Sequence, residues 1–237
     1  MSPGPPRAAL FDNDGLLLDT ESVWSRAEQR LFEARGVEFT LSHKQALVGA
    51  SAEIAGRTLG RFLGEEGREA AIMDELNGLV MDELEGGVDP MVGALEILGL
   101  LKGLGVPLGL VSNSPRPFIL RSHEVAATGI EFETVVSGHE VAEAKPAPDP
   151  YLKACEILGV EPGPDVVALE DSPTGVASAS AAGLFVIGVP SVPGITLEQA
   201  DLVASTLDHA SVLERLGIEP ARPFGAGPRD RGPGPGG

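Results

Sequence analysis

The chain has 237 residues, 35 acidic side chains against 17 basic ones and a formal charge of −18. That length can bury a sizeable core and fits one α/β domain with an insertion or two small domains. The acidic balance argues against nucleic acid or an anionic membrane as partner, and apolar blocks such as 8–11 and 108–111 exclude a wholly disordered chain. In chain order, Ala8 to Phe11 reads as a buried strand ending in the turn Asp12-Asn13-Asp14-Gly15. From Thr20 to about Gly87 the pattern is helical, with Val23, Ala27, Leu31 and Ala34 on one face and Gly36 as a stop. A helix over 91–104 and a strand over 106–111 follow, the latter ending at Ser112-Asn113.

Strands and helices then alternate. The pattern predicts strands at 134–136, 166–169 and 185–189, helices near 149–158 and 173–182, an edge strand at 202–203 and a last helix over 207–216. Such alternation specifies an α/β fold: a Rossmann-like three-layer core with a mainly parallel sheet, carrying an inserted small α-helical cap domain. We assign 7–19 and 88–219 to the core and 20–87 to the cap. Residues 221–237 contain 10 Gly or Pro in 17 positions and are expected to be a disordered tail. No signal peptide is evident, and the apolar stretch 91–111 carries Glu96, Lys102 and Pro107, so it is not a membrane span. Cys155 is the single cysteine and cannot form an internal disulfide. A cytoplasmic, monomeric protein is the expectation.

Polar residues of chemical potential fall where these strands end: Asp12 and Asp14, Ser112 and Asn113, Lys145 in a loop, and Glu170-Asp171. The carboxyl ends of strands form the ligand crevice of an open parallel sheet, so these distant positions converge there. Convergence has an electrostatic cost. Two carboxylates about 4 Å apart repel by roughly 4 kcal/mol at an effective dielectric near 20, so several of them need protons or a cation. Oxygen donors suit Mg²⁺, no His/Cys cluster suits zinc, and a divalent ion with Lys145 would admit a phosphate ester. Taken singly, each motif has a plainer reading. Asp12-Asn13-Asp14-Gly15 could be a polar turn, Ser112 a helix cap, Lys145 a solvated cation and Glu170-Asp171 a helix-start pair.

Phe11-Asp12-Asn13-Asp14-Gly15, Leu110-Val111-Ser112-Asn113, Lys145-Pro146-Ala147-Pro148-Asp149-Pro150 and Leu169-Glu170-Asp171-Ser172-Pro173-Thr174-Gly175 resemble, in order, the four motifs of the haloacid dehalogenase-like hydrolase superfamily. The helical insertion is similar to the cap of its sugar-phosphate phosphatases and β-phosphoglucomutase. The resemblance implies Asp12 as nucleophile and Asp14 as general acid/base. It implies Ser112 and the Asn113 backbone N–H as phosphate donors with Lys145 beside them. It further implies Asp12, the Asp14 carbonyl and Asp171 as Mg²⁺ ligands, with Glu170 close by. Asp19 and Arg116 are candidates for substrate contact.

The function implied is a Mg²⁺-dependent phosphatase acting on a small phosphomonoester, with a sugar phosphate as the narrower expectation. The β-phosphoglucomutase pattern has His where Trp24 stands and Arg where Ala52 stands, which disfavours the alternative of a phosphomutase. A cap lysine would be wanted for phosphonate cleavage; Lys44 is the only one there, and Asp14 argues against that chemistry. The non-enzymatic alternative is a phospho-aspartate binding module, disfavoured by the long helical insertion. His43, His123, His139 and His209 show no ligand spacing, and Trp24 reads as core or substrate contact.

Overall fold

The computed structural model describes residues 4–218; the predicted tail at 221–237 lies outside them. Nine helices and six strands are present among the described residues, in the order β1 (Ala8–Phe11), α1 (Thr20–Glu33), α2 (Leu41–Leu47), α3 (Ala52–Leu63), α4 (Glu69–Leu84), α5 (Ala94–Gly103), β2 (Leu108–Ser112), α6 (Arg116–Val125), β3 (Thr134–Ser137), α7 (Asp149–Leu158), β4 (Val166–Glu170), α8 (Pro173–Ala181), β5 (Phe185–Gly188), β6 (Leu202–Val203) and α9 (Ala210–Arg215). The strands form one sheet in the order β3-β2-β1-β4-β5-β6, with parallel pairing throughout.

Strand periodicity builds the layers. In β1, Ala9 and Phe11 join one apolar cluster while Ala8 and Leu10 join another on the opposite face. β4 repeats the division, with Val167 and Leu169 on the first side and Val166 and Ala168 on the second. Both faces are therefore covered, which is why these strands read as continuous apolar runs. The first cluster extends without a break into α1 and α4 through Val23, Ala27, Leu31, Leu76 and Val80. α1 to α4 stand between β1 and β2 in the chain. The two connections to that helical block run side by side, where Asp19 N–H donates to Asp89 C=O (2.8 Å) and Met91 N–H to Leu17 C=O (2.9 Å).

Several boundaries differ from the sequence expectation. The helix expected from Met91 begins at Ala94, because Gly93 adopts a left-handed φ of 81° and turns the chain first. β2 starts at Leu108 rather than Val106, beyond Pro107, which has no N–H for a ladder. The last helix is shorter than 207–216, with His209 as its N-cap.

The sheet order reverses at β1: β2 and β3 lie to one side, β4 to β6 to the other. The crevice at the carboxyl ends of β1, β2 and β4 is thus the topological switch point. Asp12 follows β1, Ser112 ends β2 and Glu170 ends β4.

Candidate active site

Parallel register fixes who meets whom: Phe11 lies beside Leu110 on one side and Leu169 on the other, so the residues just beyond them converge. Asp12 is buried, and its Oδ2 accepts a hydrogen bond from the Asp14 N–H at 2.9 Å, closing the turn after β1. Its Oδ1 accepts from Lys145 Nζ at 2.7 Å. The same ammonium donates to Glu170 Oε1 (2.6 Å) and to the Val111 carbonyl (2.8 Å), which saturates its three N–H donors. Glu170 Oε1 also accepts from the buried Tyr151 hydroxyl, and Asp171 Oδ2 from the Ser191 hydroxyl.

Carboxylate oxygens of Asp12, Glu170 and Asp171 lie within 4.8 Å of one another, all three residues buried. Burial raises the Asp12 pKa well above the ordinary carboxylate value, and neighbouring Glu170 and Asp14 add to this against the pull of Lys145. Asp171 is raised for the same first reason, with Asp12, Glu21 and Glu170 adding to it. Burial opposes the charge on Lys145, yet Asp12 and Glu170 outweigh it and hold the ammonium's pKa above its ordinary value. One ammonium against three carboxylates leaves the cluster short of positive charge. Glu170 Oε2 is buried without a hydrogen-bond partner. An all-oxygen donor set with an unsatisfied acceptor and a deficit of positive charge fits a hard divalent cation such as Mg²⁺.

Asp14 stands apart from this cluster. Its Oδ1 accepts from Thr20 Oγ1 (2.8 Å) and Asn13 Nδ2 (3.2 Å), its Oδ2 from Ser112 Oγ (2.7 Å) and Ser114 Oγ (2.8 Å). Its side chain is thus held by hydroxyl and amide donors, and the side-chain carboxylates that come together are those of Asp12, Glu170 and Asp171. Asn13 is oriented in turn by His123, whose Nε2 lies 3.0 Å from Asn13 Oδ1 and whose Nδ1 lies 3.1 Å from Thr128 Oγ1. Burial lowers the His123 pKa against the nearby Asp14 charge, which favours the neutral ring. Asn113 fastens two loops: Nδ2 donates to Gly49 C=O (3.2 Å) and Lys145 C=O (3.1 Å), and Oδ1 accepts from the Lys145 N–H (3.0 Å).

Asp12, Asp14, Ser112, Asn113, Lys145 and Asp171 line one cavity, roofed by residues of α1 to α4 including Glu21, Trp24, Lys44 and Leu76. Two sequence candidates are not brought there. Asp19 is an exposed N-cap of α1, accepting from the Ser22 N–H at 3.4 Å. Arg116, the first residue of α6, is held by Glu140 and by the Val135 carbonyl (2.6 Å) and does not line the cavity. Thr20, which follows Asp19 at the expected hinge, is brought to Asp14; Ser114, Ser191 and Tyr151, whose only signal is proximity to motifs, and the α1 carboxylates Glu21 and Glu28 were not anticipated. His123, expected at a surface or satisfied core position, is half-buried and hydrogen-bonded at both ring nitrogens.

The family described as haloacid dehalogenase-like hydrolase matches residues 9–189. Hexitol phosphatase A of Escherichia coli (strain K12) is 32% identical over 213 residues, covering 87% of this chain and 94% of its own. Validoxylamine A 7'-phosphate phosphatase of Streptomyces hygroscopicus subsp. limoneus is 29% identical over 211 residues, covering 85% and 94%. Among solved structures, CbbY from Rhodobacter sphaeroides in complex with phosphate superposes with a TM-score of 0.73 at 25% identity, over 88% of this chain and 99% of that one. The chain belongs to the haloacid dehalogenase-like hydrolases.

Proposed function

We propose that this chain is a Mg²⁺-dependent phosphatase that hydrolyses a small phosphomonoester, of sugar-phosphate type, through an aspartyl-phosphate on Asp12. Its class, a phosphoric monoester hydrolase of the family, follows from the family match and from the phosphatases among its relatives. The single observation that carries the mechanism is Asp12 itself: a buried carboxylate held by Lys145 at 2.7 Å, at the floor of the cavity and inside the acidic cluster.

Asp12, Glu170 and Asp171 would hold Mg²⁺, and when bound the ion supplies positive charge against the phosphoryl oxygens. An Asp12 carboxylate oxygen attacks phosphorus, and the bond from phosphorus to the leaving alkoxide oxygen breaks. Asp14, carrying the proton, gives it to that oxygen. Water then attacks the aspartyl-phosphate as Asp14 takes its proton, which releases phosphate and restores the Asp12 carboxylate. Ser112, the Asn113 N–H and Lys145 stabilise the phosphoryl charge. We assign α1 to α4, residues 20–87, as the cap over this chemistry, hinged where 17–19 pair with 89–91.

Asp14→Asn tests the acid/base role. Rapid mixing with an aryl phosphate in Mg²⁺ should show both phosphoenzyme formation and its hydrolysis slowed, by about 10²-fold or more. Unchanged rates would remove Asp14 from the mechanism. The phosphomutase reading is not better supported, and release of inorganic phosphate without need of a bisphosphate activator separates the two.

A further inference from the structure

The cavity roof holds a charged cluster that the chemistry above does not use. Lys44 Nζ of α2 lies 2.6 Å from Glu21 Oε2 and 3.2 Å from Glu28 Oε2 of α1, with side-chain exposures of only 8%, 14% and 4%. All three residues line the cavity with Asp12 and Asp14. We infer that the Glu21–Lys44–Glu28 triad is the specificity wall for the leaving group: it accepts a neutral hydroxyl and excludes substrates carrying a second anionic group. This deepens the phosphatase reading and rests on it.

Donors and charge set this preference. Lys44 Nζ hydrogen-bonds Glu28 Oε2, while Glu21 Oε2, 2.6 Å away, is a buried acceptor without a hydrogen-bond partner, so the ammonium keeps donors to spare. Glu21 and Glu28 have oxygens to spare as acceptors. A hydroxyl satisfies both sides, accepting from Lys44 while donating to a carboxylate. A second phosphate or a carboxylate would accept from Lys44 but meet two negative charges within the same few ångströms. An ammonium would meet Lys44.

Nor does another lysine or arginine compensate at this wall. Among the described residues lining the cavity, Lys44 and Lys145 are the only Lys or Arg side chains, and Lys145 is saturated by Asp12, Glu170 and Val111. Burial pushes Glu28 up to about 7, and the triad sets two carboxyl groups against a single ammonium. Apolar neighbours Trp24, Leu47 and Met73 leave the rest of the wall suited to the carbon face of a polyol or sugar.

The test is competition against p-nitrophenyl phosphate in Mg²⁺, comparing glucose 6-phosphate with glucose 1,6-bisphosphate, which differ only in the second phosphate. The native chain should be inhibited at least about tenfold more strongly by the monophosphate. Glu28→Gln, and independently the less buried Glu21→Gln, should each narrow that ratio by about threefold or more as a negative charge is removed. A ratio within one preparation is insensitive to the fraction of folded enzyme. A bisphosphate preference, competition by neither sugar, or a ratio unmoved in both variants overturns the inference while p-nitrophenyl phosphate is still hydrolysed. No hydrolysis of that probe by the native chain overturns the phosphatase reading itself, and this inference with it.

Discussion

Lys145 is the residue on which the candidate site turns, since one buried ammonium bonds the carboxylates of Asp12 and Glu170 and the end of β2. Removing one member of such a group leaves buried charges uncompensated, which is far more costly than the group's net worth suggests. The site also constrains residues with no charge. Gly175, in the first turn of α8, packs directly against the Glu170 carboxylate, and a Cβ there would overlap it. Gly175→Ala should therefore lower stability by about 2–3 kcal/mol in denaturant unfolding, a loss of overpacking size, and disturb the metal set with it. An unchanged midpoint would show that Glu170 can retreat at little cost. His123 acts one step further out, through Asn13 on Asp14. His123→Phe keeps the ring's bulk but leaves Asn13 Oδ1 without this partner. It should cut kcat by roughly 10- to 100-fold with little change in KM, as small misplacements do. A change in KM alone would argue against a positioning role.

At the scale of elements, the strand ends bring the candidate site residues together and α1 to α4 roof the cavity they line. The first was legible in the sequence, because apolar runs covered on both faces stop abruptly at Asp12, Ser112 and Glu170. The match at 149–158 has a related origin, an apolar helical periodicity closed by Gly159 in the left-handed conformation. The cap was legible only as helices. Glu21, Glu28 and Lys44 look like helical surface charges in sequence, and only the tertiary packing of the helical block buries Glu28 and Lys44 and brings Glu21 beside them. Arg116 failed for a comparable reason: its partner, Glu140, comes from the turn after β3, which no local pattern announces.

Burial of Glu28 also has a measurable consequence. With its pKa raised from 4.5 to about 7, chiefly by burial, the native state keeps a proton that the unfolded chain releases across that window. The contribution is fully present below 4.5 and is lost as pH rises through about 7. Relative to Glu28→Gln, the native chain should lose stability over this range, by on the order of 3 kcal/mol. Parallel stability curves for the two proteins would contradict it.

For the whole molecule, a formal charge of −18 opposes capture of an anionic substrate at long range. Binding then depends on local charge in the cavity, which under the proposed function Mg²⁺ held by the acidic cluster would supply. An ion bound by the native state alone stabilises it, by about 2.7 kcal/mol at a hundred times its Kd. Mg²⁺ should accordingly raise the thermal midpoint, a chelator should reverse the rise, and Asp171→Asn should weaken it. A midpoint indifferent to Mg²⁺ would separate the cluster from metal binding.

The most direct test of the account is phosphate release from p-nitrophenyl phosphate by the native chain and by Asp12→Asn, each with Mg²⁺ and with a chelator. The account predicts release only from the native chain in Mg²⁺, with the variant folded and at least about 10⁴-fold slower, as loss of a covalent nucleophile requires. Comparable release from folded Asp12→Asn would contradict the assignment of Asp12 and the covalent mechanism built on it.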